Sequence, residues 1–322
     1  MKRLIFLVVF LAACWSGWWF HAASQQRGAV EAWFEARRAD GWQASYDDIA
    51  VRGFPNRIDT TISGIFLSDG ARGTGWEAPF LQIFQLSYKP GHLILAFPDT
   101  QTLVLPDGVY DIASDGLRAS LVETGQTLER LNLEATVLNI AGDRSLALAG
   151  LNAAVLHQPD DPLTYRVALT AEAMASDRRA LPGLPAALDG VRLDARVTFD
   201  DPLTRDRLTG GGTQPNAIDL RLAEYRLGDV RLKLAGTVDV ANDGTLDGRL
   251  TLQAENWRVL VAMAEDAGQL PPAVARTLEQ GLDIVASLSG SRDTLDLPLD
   301  FDDGRMALGP IPLGPAPRLR LP

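Results

Sequence analysis

Apolar residues cluster at the start of the chain, take helical spacing for a short distance, and then alternate with polar residues over most of the remainder. Lys2 and Arg3 precede a mainly apolar run from Leu4 to Phe20, extended by His21, Ala22 and Ala23, with no acidic residue before Glu31. From Gln25 to Arg38, Val30, Trp33 and Phe34 stand at i, i+3 and i+4, which predicts a short helix that Asp40-Gly41 stops. From Tyr46 the period becomes two. Ile58, Thr60 and Ile62 alternate with Asp59 and Thr61; Val191, Leu193, Ala195, Val197 and Phe199 alternate with Arg192, Asp194, Arg196 and Thr198. Leu93 to Phe97, Ile218 to Leu222, Val230 to Leu234 and Leu246 to Leu252 repeat the device. Each run predicts a strand with one buried and one wet face.

The breaks carry turn chemistry. Asn242-Asp243-Gly244 between two alternating runs predicts a hairpin. Ser68-Asp69-Gly70, Pro106-Asp107-Gly108, Ser114-Asp115-Gly116 and Asp302-Asp303-Gly304 are of the same kind, so the strands are expected to meander. Helical spacing returns at Trp257, Leu260, Val261 and Ala264 and again at Val274, Leu278 and Leu282, with Pro271-Pro272 between the two helices. A further helical piece is expected over Ala171 to Arg179, and a final strand pair over Ile284 to Leu288 and Leu295 to Phe301. The tail from Leu308 to Pro322, with five prolines, reads as an extended strap. The expected fold is therefore mainly β (α+β): an elongated, curved antiparallel sheet with a few short helices, following an N-terminal transmembrane helix. Residues 1–23 are the anchor or signal, 24–41 a juxtamembrane helix, and 42–322 a β-rich periplasmic domain with a sub-boundary near 180–190.

Three readings of the N-terminus compete. Leu4 to Ala23 is about 20 residues, enough to cross ~30 Å of hydrocarbon, with Lys2 and Arg3 held in the cytoplasm and Trp15, Trp18, Trp19 and Phe20 toward the far interface. Leu11-Ala12-Ala13-Cys14 also has the form of a lipobox, which would make Cys14 a lipidated N-terminus. A secretory signal cut near Ala22-Ala23 is the third. All three export the body of the chain, and the first is preferred, with Cys14 as a small apolar residue inside the span.

Composition narrows the class. The 322 residues are 46% hydrophobic and 22% charged, which suits a packed core. One cysteine makes neither an intrachain disulfide nor a Cys/His zinc framework. The formal charge of -11 argues against a nucleic-acid partner. Without Lys2 and Arg3 the exported part is near about -13, a surface repelled by anionic lipid that depends on its anchor.

Val51-Arg52-Gly53-Phe54-Pro55-Asn56-Arg57-Ile58-Asp59, shortly after the anchor, resembles the GFPxR signature of the uncharacterised bacterial family DUF2125. Trp76-Glu77-Ala78-Pro79, Tyr88-Lys89-Pro90 and the closing Gly304 to Gly314 stretch are similar to that family in the same order, so the resemblance runs from the anchor to the tail. Asn56 departs from it where an aromatic is expected, which implies local repacking. A looser resemblance, on Gly236 to Val240 and Asp247 to Leu252, is to AsmA-type envelope proteins. It implies a role near outer-membrane biogenesis or lipid homeostasis and a sheet with an apolar groove. The motif residues Gly53, Phe54, Pro55, Arg57, Trp76 and Pro79 read as structural: a turn that sets strand register, with Arg57 paired to Asp47, Asp48 or Asp59.

Catalytic constellations are not apparent. His21 lies in or beside the span, while His92 and His157 sit near turns without a nameable partner. No nucleophile elbow, H-E-x-x-H helix, P-loop or dinucleotide motif occurs. Asp243 to Gly248 fails as a calcium loop, with Thr245 at its third position and Ala254 at its twelfth, and the Asp300, Asp302, Asp303 cluster reads as a solvated turn. No cofactor, metal or catalytic residue is assigned. The leading expectation is a non-enzymatic protein anchored in the bacterial inner membrane, binding lipid or another apolar envelope component along a sheet groove. The alternatives are a scaffold for envelope proteins and a hydrolase with dispersed carboxylates.

Overall fold

The computed structural model describes residues 1–177, 187–204, 207, 212–288, 293–309 and 311–321. Among them are three helices and twenty strands, and antiparallel pairings link the strands into one sheet. The protein is mainly β, preceded by a long apolar helix. By packing, the chain forms two compact units: Met1–Glu123 with Leu133–Asp143, and Thr124–Asn132 with Arg144–Pro322. The sub-boundary expected near 180–190 falls largely on residues 178–186, outside the described residues.

Helix α1 (Lys2–Ala39) is 38 residues long. The apolar segment over 1–23 and the helix expected over 24–41 are thus one uninterrupted rod, because no proline or glycine interrupts the pattern at Ser24, the residue where they meet. It ends with Arg37 and Arg38 in the last turn, where cations suit the negative end of the helix dipole, and with Asp40 as C-cap. Every residue up to Trp15 is exposed; beyond it Trp19, Ala23 and Phe34 form a buried stripe at helical spacing.

In the first unit, β1 (Gln43–Ser45) and β2 (Asp48–Arg52) both pair with β3 (Asp59–Asp69), which pairs in turn with β4 (Thr74–Gln85). Strand β4 pairs with β5 (His92–Ala96) through Gln82 to Gln85 and with β6 (Thr100–Leu105) through Gly75 to Glu77. Then β7 (Gly108–Asp115) joins β6, β8 (Arg118–Thr124) joins β5, and β9 (Thr127–Ala141) joins β7 by its later half. Phe34 from the helix, Ala44, Ile49, Ile62 and Ile65 make the core, with Phe34 and Tyr46 ring centres 4.7 Å apart. The wet side of α1 faces away from this sheet, so alternation in β3 and helical phase in α1 meet on one apolar layer.

The second unit contains the first part of β9 and a ladder of long strands. Strand β10 (Leu146–Gln158) pairs with β11 (Asp161–Ala171), which pairs with β14 (Gly190–Phe199); from there β15 (Pro215–Leu227), β16 (Val230–Val240), β17 (Leu246–Glu255) and β18 (Thr294–Asp302) follow in order. Short strand β12 (Ala173–Ser176) pairs with β10 and β13 (Ala187–Leu188) with β12, while β19 (Arg305–Leu308) pairs with β18 and β20 (Ile311–Pro315) with β19. Helices α2 (Trp257–Asp266) and α3 (Pro272–Leu288) interrupt the ladder between β17 and β18.

One face of β16–β18 is apolar. At one end Val230, Leu232, Ala254 and Leu295 are sealed by Trp257, Val261, Ala275 and Ala286 of the helices. At the other, Val238, Val240, Leu246, Leu250 and Phe301 pack with Met306, Ala316 and Leu319 of the C-terminal strap. The opposite face is an ion-pair ladder: Arg231 and Lys233 on Glu255, Arg249 on Asp300, and Arg166 on Asp194 at 2.8 Å. A bulge between Leu220 and Ala223 shifts the phase of β15, so Ile218 and Leu220 serve the strap end while Tyr225 and Leu227 serve the helix end. Gly236 and Gly248 have φ of +142° and +135°, and a Cβ at either would run into the backbone of the paired strand.

Three expectations are corrected. Ala171 to Ser176 is strand, ending β11 and forming β12, because pairing with β10 outweighs the helix preference of its alanines; residues 178 and 179 lie outside the described residues. Ile284 to Leu288 is helix, not strand, since Leu282, Val285 and Ala286 continue the α3 stripe onto the core and a five-residue apolar run has no distinguishing period. Ser114-Asp115-Gly116 closes no hairpin, because β7 and β8 pair with other strands, and pairings such as β5–β8 and β11–β14 interrupt the meander.

Two outcomes follow from this packing. Trp257 is 1% exposed, so Trp257→Ala is expected to lower unfolding free energy by about 3–5 kcal/mol in urea titrations. Asp194, held down by its hydrogen bonds to Arg166, and Glu255, held down first by Lys233, ionise below the ordinary carboxylate range. Their contribution is complete above a pH of about 4 and is lost as pH falls through the lowered values. The thermal midpoint should therefore drop on acidification to pH 3, and an Arg166→Met/Lys233→Met variant should show a shallower drop.

Candidate functional site

The residues Gly53-Phe54-Pro55-Asn56-Arg57 form the turn between β2 and β3. Arg57 N–H donates to the Gly53 carbonyl at 2.8 Å, which closes the loop. Gly53 has φ of +107°, and a Cβ there would lie 2.8 Å from Arg57 Cβ, so only glycine fits. The Phe54–Pro55 peptide is cis.

This turn is docked on α1. The indole N–H of Trp15 donates to the Pro55 carbonyl at 3.0 Å, and that of Trp19 to the Arg57 carbonyl at 2.7 Å. Phe54 lies edge-on to Trp19 at 5.5 Å and stacks on Phe20 at 5.9 Å. A second loop supports the first: Ser87 donates from both its N–H and its hydroxyl to the Asn56 carbonyl, at 2.9 and 3.0 Å. Arg57 pairs with Asp59 at 3.0 Å and lies over the Phe84 ring at 5.2 Å, so of its three expected partners Asp59 is the one engaged. Asn56 projects into solvent and contributes its backbone carbonyl. Its side chain therefore needs no core to be repacked.

The motif residues are thus divided. Gly53, Phe54, Pro55 and Arg57 come together on the helix. Trp76 and Pro79 lie in β4 instead: the Trp76 indole donates to Gln101 at 2.8 Å beside the first-unit core, and Pro79 sits on the stretch of β4 between its pairings with β5 and β6, where its missing N–H costs no ladder bond. Cys14 is exposed on α1, one residue before the first clasped tryptophan. Sequence reasoning placed Trp15 and Trp19 only as interfacial residues. Their i, i+4 spacing on one face was the available signal for a docking contact.

Elsewhere, His157 gains a partner the sequence does not reveal, with Nδ1 3.6 Å from Glu129 and its ring against Tyr165 at 5.2 Å. Tyr165 is fully buried; burial raises its phenol pKa, and its oxygen accepts from the Leu203 N–H at 3.1 Å. On the polar face of β11 and β14–β16 a cavity of about 380 Å³ is lined by Asp160, Asp161, Arg196, Asp219 and Asp239. The Asp161 carboxyl is held low by hydrogen bonds from Thr164 and the Leu163 N–H. Among the described residues no group of three or more His, Cys, Asp or Glu stands close enough to hold a metal ion. The arrangement with the densest specific contacts is the clasp on α1, and its chemistry is attachment.

Replacing Trp19 by Phe keeps an aromatic ring, smaller than the indole, and removes the N–H, leaving the partly buried Arg57 carbonyl without its donor. The expected loss is about 1–3 kcal/mol of unfolding free energy, larger than for Trp15→Phe, whose bond is solvent-exposed. Equal and negligible effects in denaturant titrations of the two variants would show that the bonds do not hold the turn.

Helix α1 is long and apolar enough to cross a membrane, and a signal sequence would meet the same criterion. A family profile described as "Uncharacterized protein conserved in bacteria (DUF2125)" matches residues 19–317, beginning at the clasped Trp19 and taking in every motif residue above. No curated protein and no solved structure matches the chain, and the looser AsmA-type likeness is not shown. With a match over nearly its whole length and the signature turn in place, the chain belongs to the DUF2125 family of bacterial proteins.

Proposed function

We propose that this protein is a non-enzymatic component of the bacterial envelope, held in the inner membrane by α1 with its β-rich body in the periplasm. The apolar face of β16–β18 binds an acyl chain of a lipid or a similar apolar envelope component. Lys2 and Arg3 ahead of the apolar stretch support the orientation. The acidic body, repelled by anionic lipid, would rely on the helix to remain at the surface.

The observation that carries the ligand class is a row of leucines. Leu234, Leu252 and Leu297 are directly paired across β16, β17 and β18, and all three are half-buried. On one side their neighbours are sealed by α2 and α3, and on the other by the strap. The row lies between the two covers and is apolar, with Leu234 also packed against the strap-end cluster. A second reading, a scaffold for another envelope protein, draws on an apolar hollow of about 580 Å³ along α3, lined by Ala273, Val274, Thr277, Leu278, Gly281 and Leu282.

Full-length protein extracted in mild detergent and examined by native mass spectrometry is expected to retain a lipid-sized adduct. Leu252→Glu should abolish the adduct while leaving secondary structure and α1 intact. A folded wild-type protein free of lipid, together with a stoichiometric protein crosslinked in cells through position 274, would reject lipid binding in favour of the scaffold.

A further inference from the structure

We infer that the 53–57 turn and the neighbouring Tyr88 loop are a second membrane contact, a wedge seated at the headgroup–acyl boundary of the leaflet nearest the body. The inference rests on the reading of α1 as a membrane span. It starts from a length mismatch. The turn holds α1 from Trp15 onward, so only Lys2 to Cys14 projects free of the body. Thirteen residues at ~1.5 Å each reach about 20 Å, against ~30 Å of hydrocarbon. The missing length of about 10 Å corresponds to the next six or seven residues, the segment from Trp15 to Phe20 that the turn clasps. Tilt of the helix increases the shortfall. To bring those residues to the depth a span requires, the turn must go with them.

The turn is built for that environment. Phe54 is 51% exposed and stacks on Phe20, itself 62% exposed, while Trp18 is 44% and Tyr88 of the adjoining loop 61% exposed, aromatic side chains of the type found at membrane–water interfaces. The two loops are side by side, since Ser87 is bonded to Asn56. Lys89, exposed next to Tyr88, is positioned to meet phosphate groups.

Irregular backbone enters an apolar layer only when its polar groups are already paired. Here the Gly53 carbonyl accepts from Arg57, that of Pro55 from Trp15, that of Asn56 from Ser87, and that of Arg57 from Trp19. Pro55 has no N–H to satisfy. The exposed aromatic side chains and the four paired carbonyls are independent observations, and both fit the same lipid boundary.

The single cysteine makes the test simple. In full-length Cys14→Ser protein, a polarity-sensitive fluorophore is attached through Phe54→Cys, Tyr88→Cys, Leu7→Cys or Ala71→Cys, the last exposed beyond the Asp69 end of β3, opposite to the end that meets the turn, and each is reconstituted in vesicles of phosphatidylethanolamine and phosphatidylglycerol. Emission from 54 and 88 is expected to shift to the blue and to be quenched most by lipid carrying a quencher near the headgroup. Emission from 7 should be quenched most by a quencher deep in the chain, and emission from 71 by neither. Labels at 54 and 88 that behave like 71, while 7 is in lipid, would overturn the wedge and leave the anchor standing. A label at 7 in water would overturn both. Where Phe54→Cys loosens the clasp, Tyr88→Cys decides, because it lies outside the ring contacts with α1.

Discussion

A helix of 38 residues whose first half is apolar all round and whose second half is apolar along one stripe cannot stand alone in water. The body covers only the second part, and its hold on the helix begins at one place. That place is Trp15 to Phe20, where the side chains stop being uniformly exposed and begin to bond to the body. Farther along, Phe34 closes the first-unit core. Because α1 is unbroken, the clasp near Trp19 and the packing at Phe34 are fixed by one rod and support each other.

The signature turn takes its meaning from this handover. Gly53 supplies the only backbone geometry that lets Arg57 fold back, and the turn then presents carbonyls, rather than side chains, to the tryptophans. Carbonyl recognition tolerates variation, which is why a polar Asn56 fits where an aromatic is expected. Arg57, pinned by Asp59 and the Phe84 ring, orients the end of the turn and requires no ligand for an explanation.

In the second unit the same economy governs the sheet. The polar face is stabilised by paired charges that are individually weak because they are exposed. The apolar face is a single surface shared by two separate covers, the helices and the strap. Gly236 and Gly248 sit within the strap-covered end in conformations other residues avoid. The β15 bulge divides its side chains between the two covers.

The alternation of period two identified the strands at 58–62, 93–97, 191–199, 230–234 and 246–252, and helical spacing identified α1, α2 and most of α3, because these patterns are written in consecutive residues. Where local signals were ambiguous, as at Ala171 to Ser176 and Ile284 to Leu288, partners distant in sequence decided between strand and helix. The GFPxR motif was visible as a turn, but its contact with Trp15 and Trp19 spans about 40 residues and has no sequence period to report it. Likewise, alternation shows that a face is buried and cannot say by what. The covers on β16–β18 and the leucine row left between them are decided by which segments return to the sheet, a property of the folded chain. The apolar N-terminal helix, β class and the residues of the turn belong to the sequence; what those residues hold, and which part of the sheet stays open, belongs to tertiary packing.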